Sequence, residues 1–135
     1  MSDPIGALVA ALLADGDTAD LVGTHVFGGE LTGPILDGAA QYALVVGPSG
    51  GISLTGESNL PVDTQRVDLQ AYGATAQEAN RLLAIGTRAL TAIRRQTLAD
   101  TFILRVNRAG GFGQARDRDN QWPMGWRSFQ ILHSL

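Results

Sequence analysis

Residues 65–95 constrain the fold more than any other stretch. From Gln65 to Gly73 the chain alternates, with Val67, Leu69 and Ala71 on one side and Arg66, Asp68, Gln70 and Tyr72 on the other. Successive side chains of a strand leave opposite faces, so this is a half-buried strand with one polar or partner-facing side. Thr75-Ala76-Gln77-Glu78 follows as a capping box, whose hydroxyl and carboxylate satisfy the free amides of a helix start. The spacing predicts a helix to about Arg95, with Ala79, Leu82, Leu83, Gly86, Ala89, Leu90 and Ile93 on its apolar face. Arg81, Arg88 and Arg95 recur every seven residues on another face, and Arg94 and Arg95 suit the negative end of the helix dipole.

The rest of the chain supplies elements that can pack on this unit. Asp3-Pro4 reads as an N-cap and first helical residue, and Ile5, Leu8, Val9, Leu12 and Leu13 then share one helical face up to Gly16. Asp17–Val22 can add a partial turn. His25–Leu31 and Tyr42–Val46 read as short strands, separated by the breaker Gly33-Pro34. Gly47–Asp63 is expected to be a long loop or a flexible two-stranded arm, in which Ile52 and Leu54 alternate with Ser53 and Thr55. Thr101–Arg108 is predicted to be a strand with Phe102, Leu104 and Val106 on one side. Ala109–Met124 then reads as a second long loop, and Gly125–His133 as a closing strand with Trp126 and Phe129 on opposite faces. The order predicts one α+β domain over 1–135: a mostly antiparallel sheet with two helices on one face and an extended loop or hairpin arm.

Composition excludes several kinds of chemistry. There is no cysteine, hence no disulfide framework, thiolate zinc site or cysteine nucleophile. The net charge of −3 argues against binding nucleic acid through charge alone. All ten basic residues are arginine, whose planar forks suit partly buried pairing with carboxylates. Met1-Ser2-Asp3-Pro4 lacks the basic start of a secretory signal, and no apolar run nears the roughly 20 residues of a membrane span, so a soluble chain is expected.

No motif assembles a catalytic set. His25 and His133 have no carboxylate or second imidazole at ligand spacing, where a zinc site needs three or four convergent ligands. Gly47-Pro48-Ser49-Gly50-Gly51 has the letters of a nucleophile elbow, but Ile52-Ser53-Leu54-Thr55 alternates where the elbow requires a helix. Gly110-Gly111-Phe112-Gly113 follows a strand without opening a helix, as a dinucleotide fingerprint must, and is expected to be a mobile loop. Asp15, Asp17 and Asp20 lack the glycine and Glu of a calcium loop and read as solvated. Arg116, Asp117, Arg118 and Asp119 alternate in sign and carry no net charge. They form either a solvated loop or one that docks on another chain through arginine–carboxylate pairs, beside the large side chain of Trp122.

Taken in order, these pieces resemble a known family. The helix 4–13, Leu21-Val22-Gly23, His25-Val26-Phe27, the strand 42–46 and the run 66–79 through Tyr72-Gly73 are similar to tail terminator (tail completion) proteins. Those proteins belong to long-tailed bacteriophages and phage-derived gene transfer agents. The resemblance implies a homo-oligomeric ring, six copies round, that caps the tail tube. It stops polymerisation of the tube protein and presents a surface to the neck or head–tail connector. It further implies a virion component at the head-proximal end of the tail, assembled in the bacterial cytoplasm. No catalytic residue, cofactor, metal or membrane contact is expected, and DNA would pass through the lumen without tight binding. The residues expected at subunit or partner contacts are Ile52 and Leu54 in the arm, Arg66, Asp68, Gln70 and Tyr72 on the sheet face, and Arg116, Asp117, Arg118, Asp119 and Trp122 in the second loop. The alternatives are another head–tail connector or neck protein and, more remotely, a small α+β enzyme, ligand-binding domain or oligonucleotide-binding module.

Overall fold

A computed structural model describes residues 3–29, 42–48, 62–116 and 122–134. Along the chain come α1 (Pro4–Ala14), α2 (Gly16–Val22), β1 (Val26–Gly28), β2 (Ala43–Pro48), β3 (Val62–Tyr72), α3 (Ala76–Thr91), β4 (Arg94–Leu98), β5 (Thr101–Arg116) and β6 (Pro123–Ser134). The described strands form one sheet in the order β1-β2-β3-β6-β5-β4, antiparallel except where β1 lies parallel to β2. The α+β class is as predicted, with a mixed sheet and a third helix where only a partial turn was expected.

The unit around β3 forms as its pattern dictates. Val67, Leu69 and Ala71 are fully buried beneath α3, together with Leu44 and Val46 of β2 and Phe129 and Ile131 of β6. Thr75 caps α3 by accepting the Glu78 N–H at 3.2 Å. Ala79, Leu82, Leu83, Gly86 and Leu90 face the sheet. A Cβ on Gly86 would come within 2.9 Å of Leu69 Cδ2, so glycine lets helix and sheet approach closely here.

The helix ends at Thr91, not near Arg95, and Arg94–Leu98 is an edge strand. Arg94 still serves the helix end from outside it, donating to the carbonyls of Thr91 and Ile93 at 2.8 and 2.9 Å. Arg95 adopts φ 47° within β4, leaving the seven-residue arginine recurrence with only Arg81 and Arg88 on the helix. β4 escaped the sequence reading because four of its five residues are exposed and no apolar alternation marks it.

The N-terminal segment also differs in detail. Asp3 caps α1 as expected, accepting the Gly6 N–H at 3.0 Å. The buried face, however, is Pro4, Ala7, Leu8 and Leu12, with Leu13 41% exposed. Every residue of α1 is apolar or glycine, so no polar position marks the wet side and packing alone chooses the face. α1 ends at Ala14, and Asp15 at once caps α2, accepting from the Thr18 N–H and hydroxyl at 3.0 and 2.8 Å. Two of the three aspartates that read as merely solvated therefore have partners, since Asp17 meets Arg88 at 2.6 Å.

The largest revision lies in the C-terminal third. Residues 109–116, expected as loop, continue β5, and Pro123-Met124 begin β6, so the two strands form one long hairpin. Gly110 and Gly113 are strand residues, which removes the mobile loop expected there. Two register shifts explain how this was hidden. Ile103 faces His133 and Arg105 faces Leu132, so one extra residue on β5 reverses its alternation. Ile103 and Val106 are thus buried while Phe102 is 37% exposed, the opposite of the phase expected for Phe102 and Leu104. Further on, Arg108 faces Phe129 and Phe112 faces Arg127, and the added residues include Gly110 at φ 77°. At the other end of the sheet, β1 is limited to Val26–Gly28, with His25 outside it.

Candidate assembly surface

Two faces of the sheet have different fates. The inner face lies under α1 and α3 and closes the main core. On the outer face β3 places Arg66, Asp68, Gln70 and Tyr72 in one row, as alternation requires. Register then sets their neighbours: Gln130, Ser128, Trp126 and Met124 of β6 on one side, and Gly47, Val45 and Ala43 of β2 opposite Asp68, Gln70 and Tyr72.

This outer face divides along its length. Toward Tyr72 it is apolar: Ala43, Val45, Tyr72 and Trp122 are buried, and Phe27 and Met124 pack against them. The Tyr72 and Trp122 rings meet edge-on, with centroids 6.3 Å apart and planes inclined by 73°. The sequence placed these two residues on separate elements, and the fold brings them together. At 5% and 4% exposure, both rings are already covered within the chain. Toward Arg66 the face is polar. Ser128 donates to Asp68 at 2.5 Å across the β3–β6 ladder, and the exposed Arg66 reaches over β6 to the Ala109 carbonyl at 3.3 Å. Gln70, half-buried between the two halves, accepts from the Tyr72 hydroxyl at 3.4 Å.

Of the other residues expected at contacts, Arg116 ends β5. Ile52, Leu54, Asp117, Arg118 and Asp119 lie outside the described residues, as does Ser49 of the elbow-like letters. His25 adjoins the β1 edge, whereas His133 sits on central β6, with β2 and β3 between them. Among the described residues, no group of three or more His, Asp or Glu side chains is disposed to hold a metal ion.

Two features went unseen in the sequence. The first is an open strand edge. β4 pairs with β5 only over Thr101–Arg105, so from Val106 to Arg116 β5 has β6 on one side and, among the described residues, no strand on the other. Such an edge presents a row of backbone donors and acceptors to any strand that can pair with it. Trp126 stiffens this projection: its indole lies over Gly113, where a Cβ would fall 2.6 Å from the indole nitrogen. The signal for the edge lay in the length of β5, which the shifts and glycines concealed.

The second is a groove of about 530 Å³ between α3 and the hairpin, lined by residues including Asn80, Thr87, Arg88, Arg108 and Arg127. Alternation puts Arg127 on the side of Phe129 and pairing with β6 puts Arg108 there too, but nothing local announces the space that α3 leaves above them.

No family model matches the chain, and no curated protein matches it. Among solved structures, a chain of the virion of a native gene transfer agent particle matches with a TM-score of 0.76 and 17% sequence identity. The match covers 98% of this chain and 95% of that one. At this identity the likeness establishes a shared fold from end to end.

Proposed function

We propose that this chain is a structural protein of a phage or gene transfer agent virion, and specifically a tail terminator. In this reading it is a ring of six copies that caps the tail tube, stops its growth and offers the neck its docking surface. The observation that carries the proposal is the end-to-end match to a chain of a gene transfer agent virion, with neither chain left with an unmatched domain. The similarity of residues 66–79 to tail terminators supports the finer role. So does the open edge of β5, because closing a ring requires one patch on each copy to meet a different patch on the next. An added strand at 106–116 supplies such a contact through backbone hydrogen bonds.

Termination follows from asymmetry. A ring that matches the tube on one side, and presents another surface on the other, leaves incoming tube subunits no complementary edge. The expected contact residues are Arg66, Asp68 and Gln70 on the outer face, Arg116 at the hairpin end, and Ile52, Leu54, Asp117, Arg118 and Asp119. Tyr72 and Trp122 act by holding the apolar half of that face in shape. With a net charge of −3, the ring lets DNA pass without gripping its phosphates, and nanomolar DNA binding at physiological salt would contradict this.

The deciding experiment adds the purified protein to polymerising tail-tube protein and measures tube length by electron microscopy. A terminator shortens the tubes in proportion to its concentration and appears at one end. A neck or connector protein leaves tube growth unchanged, and that result would replace the present reading with the alternative.

A further inference from the structure

We propose that an arginine-rimmed hollow on the outer side of β4 and β5 receives the acidic corner between α1 and α2 of a second copy of this chain. The proposal rests on the assembly reading above and adds which two patches meet, without using the open edge at 106–116.

Among the described residues, Leu13 and Phe102 are the large apolar side chains left exposed, at 41% and 37%. One exposed apolar side chain is ordinary. These two stand beside charges of opposite sign, on opposite layers of the fold.

Phe102 belongs to the outer layer. Its neighbour Ile103 and the facing His133 are buried on the inner side, so alternation turns Phe102 outward. Beyond it along β5 is a hollow of about 260 Å³, lined by the half-buried Leu104 and Leu132 and by the exposed Arg94, Arg95 and Arg105. Arg94 faces Arg105 directly across the β4–β5 ladder, a like-charge pairing that costs stability. Arg95 holds φ 47°, a left-handed conformation that is costly for a residue other than glycine, and it borders the same hollow. No carboxylate is among the residues lining this space. Arg94 donates to the Thr91 and Ile93 carbonyls, which leave its charge uncompensated. Arg95 and Arg105 have neither a hydrogen bond nor an ion pair among the described residues.

Leu13 belongs to the helix layer. α1 and α2 cover the inner side, with Leu8, Leu12 and Val22 in the core. Asp15, Asp17 and Asp20 follow Leu13 at once. Asp15 caps α2, Asp17 shares an exposed pair with Arg88, and the exposed Asp20 has no partner among the described residues. Three carboxylates against one arginine leave the corner acidic.

An apolar floor with an arginine rim is the make-up of a protein interface, where aromatic and arginine side chains concentrate. The complement it requires, an apolar side chain among carboxylates, is present on this same chain, and that identifies the occupant as a second copy. Arginine forks take carboxylates through paired donors. Because the two patches lie on opposite layers, the contact joins unlike surfaces and passes from copy to copy, as a ring requires. At physiological salt the screening length is about 8 Å, so the general repulsion between copies of charge −3 fades while the local match persists.

The test is the oligomeric mass of the full chain, measured by sedimentation over a range of concentration and salt. Arg95→Glu with Arg105→Glu reverses one patch, and Asp17→Arg with Asp20→Arg reverses the other. Phe102→Ser removes apolar contact without changing charge. Circular dichroism first confirms that each variant is folded. The wild type is expected to assemble, less readily as salt is added, and each variant alone to need at least about tenfold more protein. An equal mixture of the two charge-reversed variants is expected to assemble like the wild type. In that mixture each reversed patch meets a reversed complement and each intact patch an intact one, a recovery that a folding defect cannot produce. If the folded variants assemble at the wild-type concentration, or the mixture fails to recover, these patches do not meet and the proposal is wrong while the assembly reading stands. If the wild type stays monomeric at every concentration yet caps tubes, a second copy is not the occupant. If it neither assembles nor caps, both readings fall.

Discussion

The two ends of the same sheet face make opposite use of similar strands. Under α3, strands β2, β3 and β6 present Leu44, Val46, Val67, Leu69, Phe129 and Ile131, all fully buried by the chain itself. Around the second register shift, β5 and β6 present Arg108 and Arg127 to a groove, and β5 runs on with one edge unpaired among the described residues. One region satisfies its own apolar surface and backbone. The other leaves, among the described residues, a run of backbone donors and acceptors without a strand to pair with. The contrast teaches that stability and association are assigned to different lengths of the same strands, so each can be altered separately.

Substitutions in the closed region should act on stability first. Phe129→Ala empties the largest fully buried side-chain volume among the described residues and is expected to cost about 3–5 kcal/mol in urea unfolding. A loss below about 1 kcal/mol would mean that this region is not the closed core described. Gly86→Ala places a methyl group where Leu69 Cδ2 must move, and is expected to cost about 1–3 kcal/mol while the fold survives. Asp3→Ala removes the N-cap of α1, for an expected loss of about 1 kcal/mol by the same measurement. At the border between the regions, Asp17→Ala breaks an exposed pair with Arg88. The expected change in stability is under about 1 kcal/mol and should vanish in high salt. A larger, salt-independent loss would make that pair part of the core and blur the boundary.

The closed region was legible in the sequence and the open one was not, for physical reasons. Period-two alternation at 66–72 and a capping threonine at 75 are local signals, and each is obeyed by the side chains that produce it. α1 shows the weaker case: its existence follows from Asp3 and Pro4, but an all-apolar helix does not say which side is wet, and Leu13 came out exposed. β4 has no apolar rhythm because it is an edge. For β5 the extra residue near Leu104 reversed the phase, and Gly110 at positive φ made a long strand read as a loop. The groove depends on Arg108 of β5 and Arg127 of β6 being brought together under α3 by strand pairing. Pairing register joins residues distant in sequence and leaves no local trace.

Amide hydrogen exchange tests the central contrast most directly, with dilute and assembled protein compared. Amides of 64–72 should exchange slowly in both states, because this chain alone protects them. Those of 106–116 that point away from β6 should exchange quickly when the protein is dilute and become slow when it assembles. Equal, rapid exchange at 106–116 in both states would contradict the claim that this edge is where copies join.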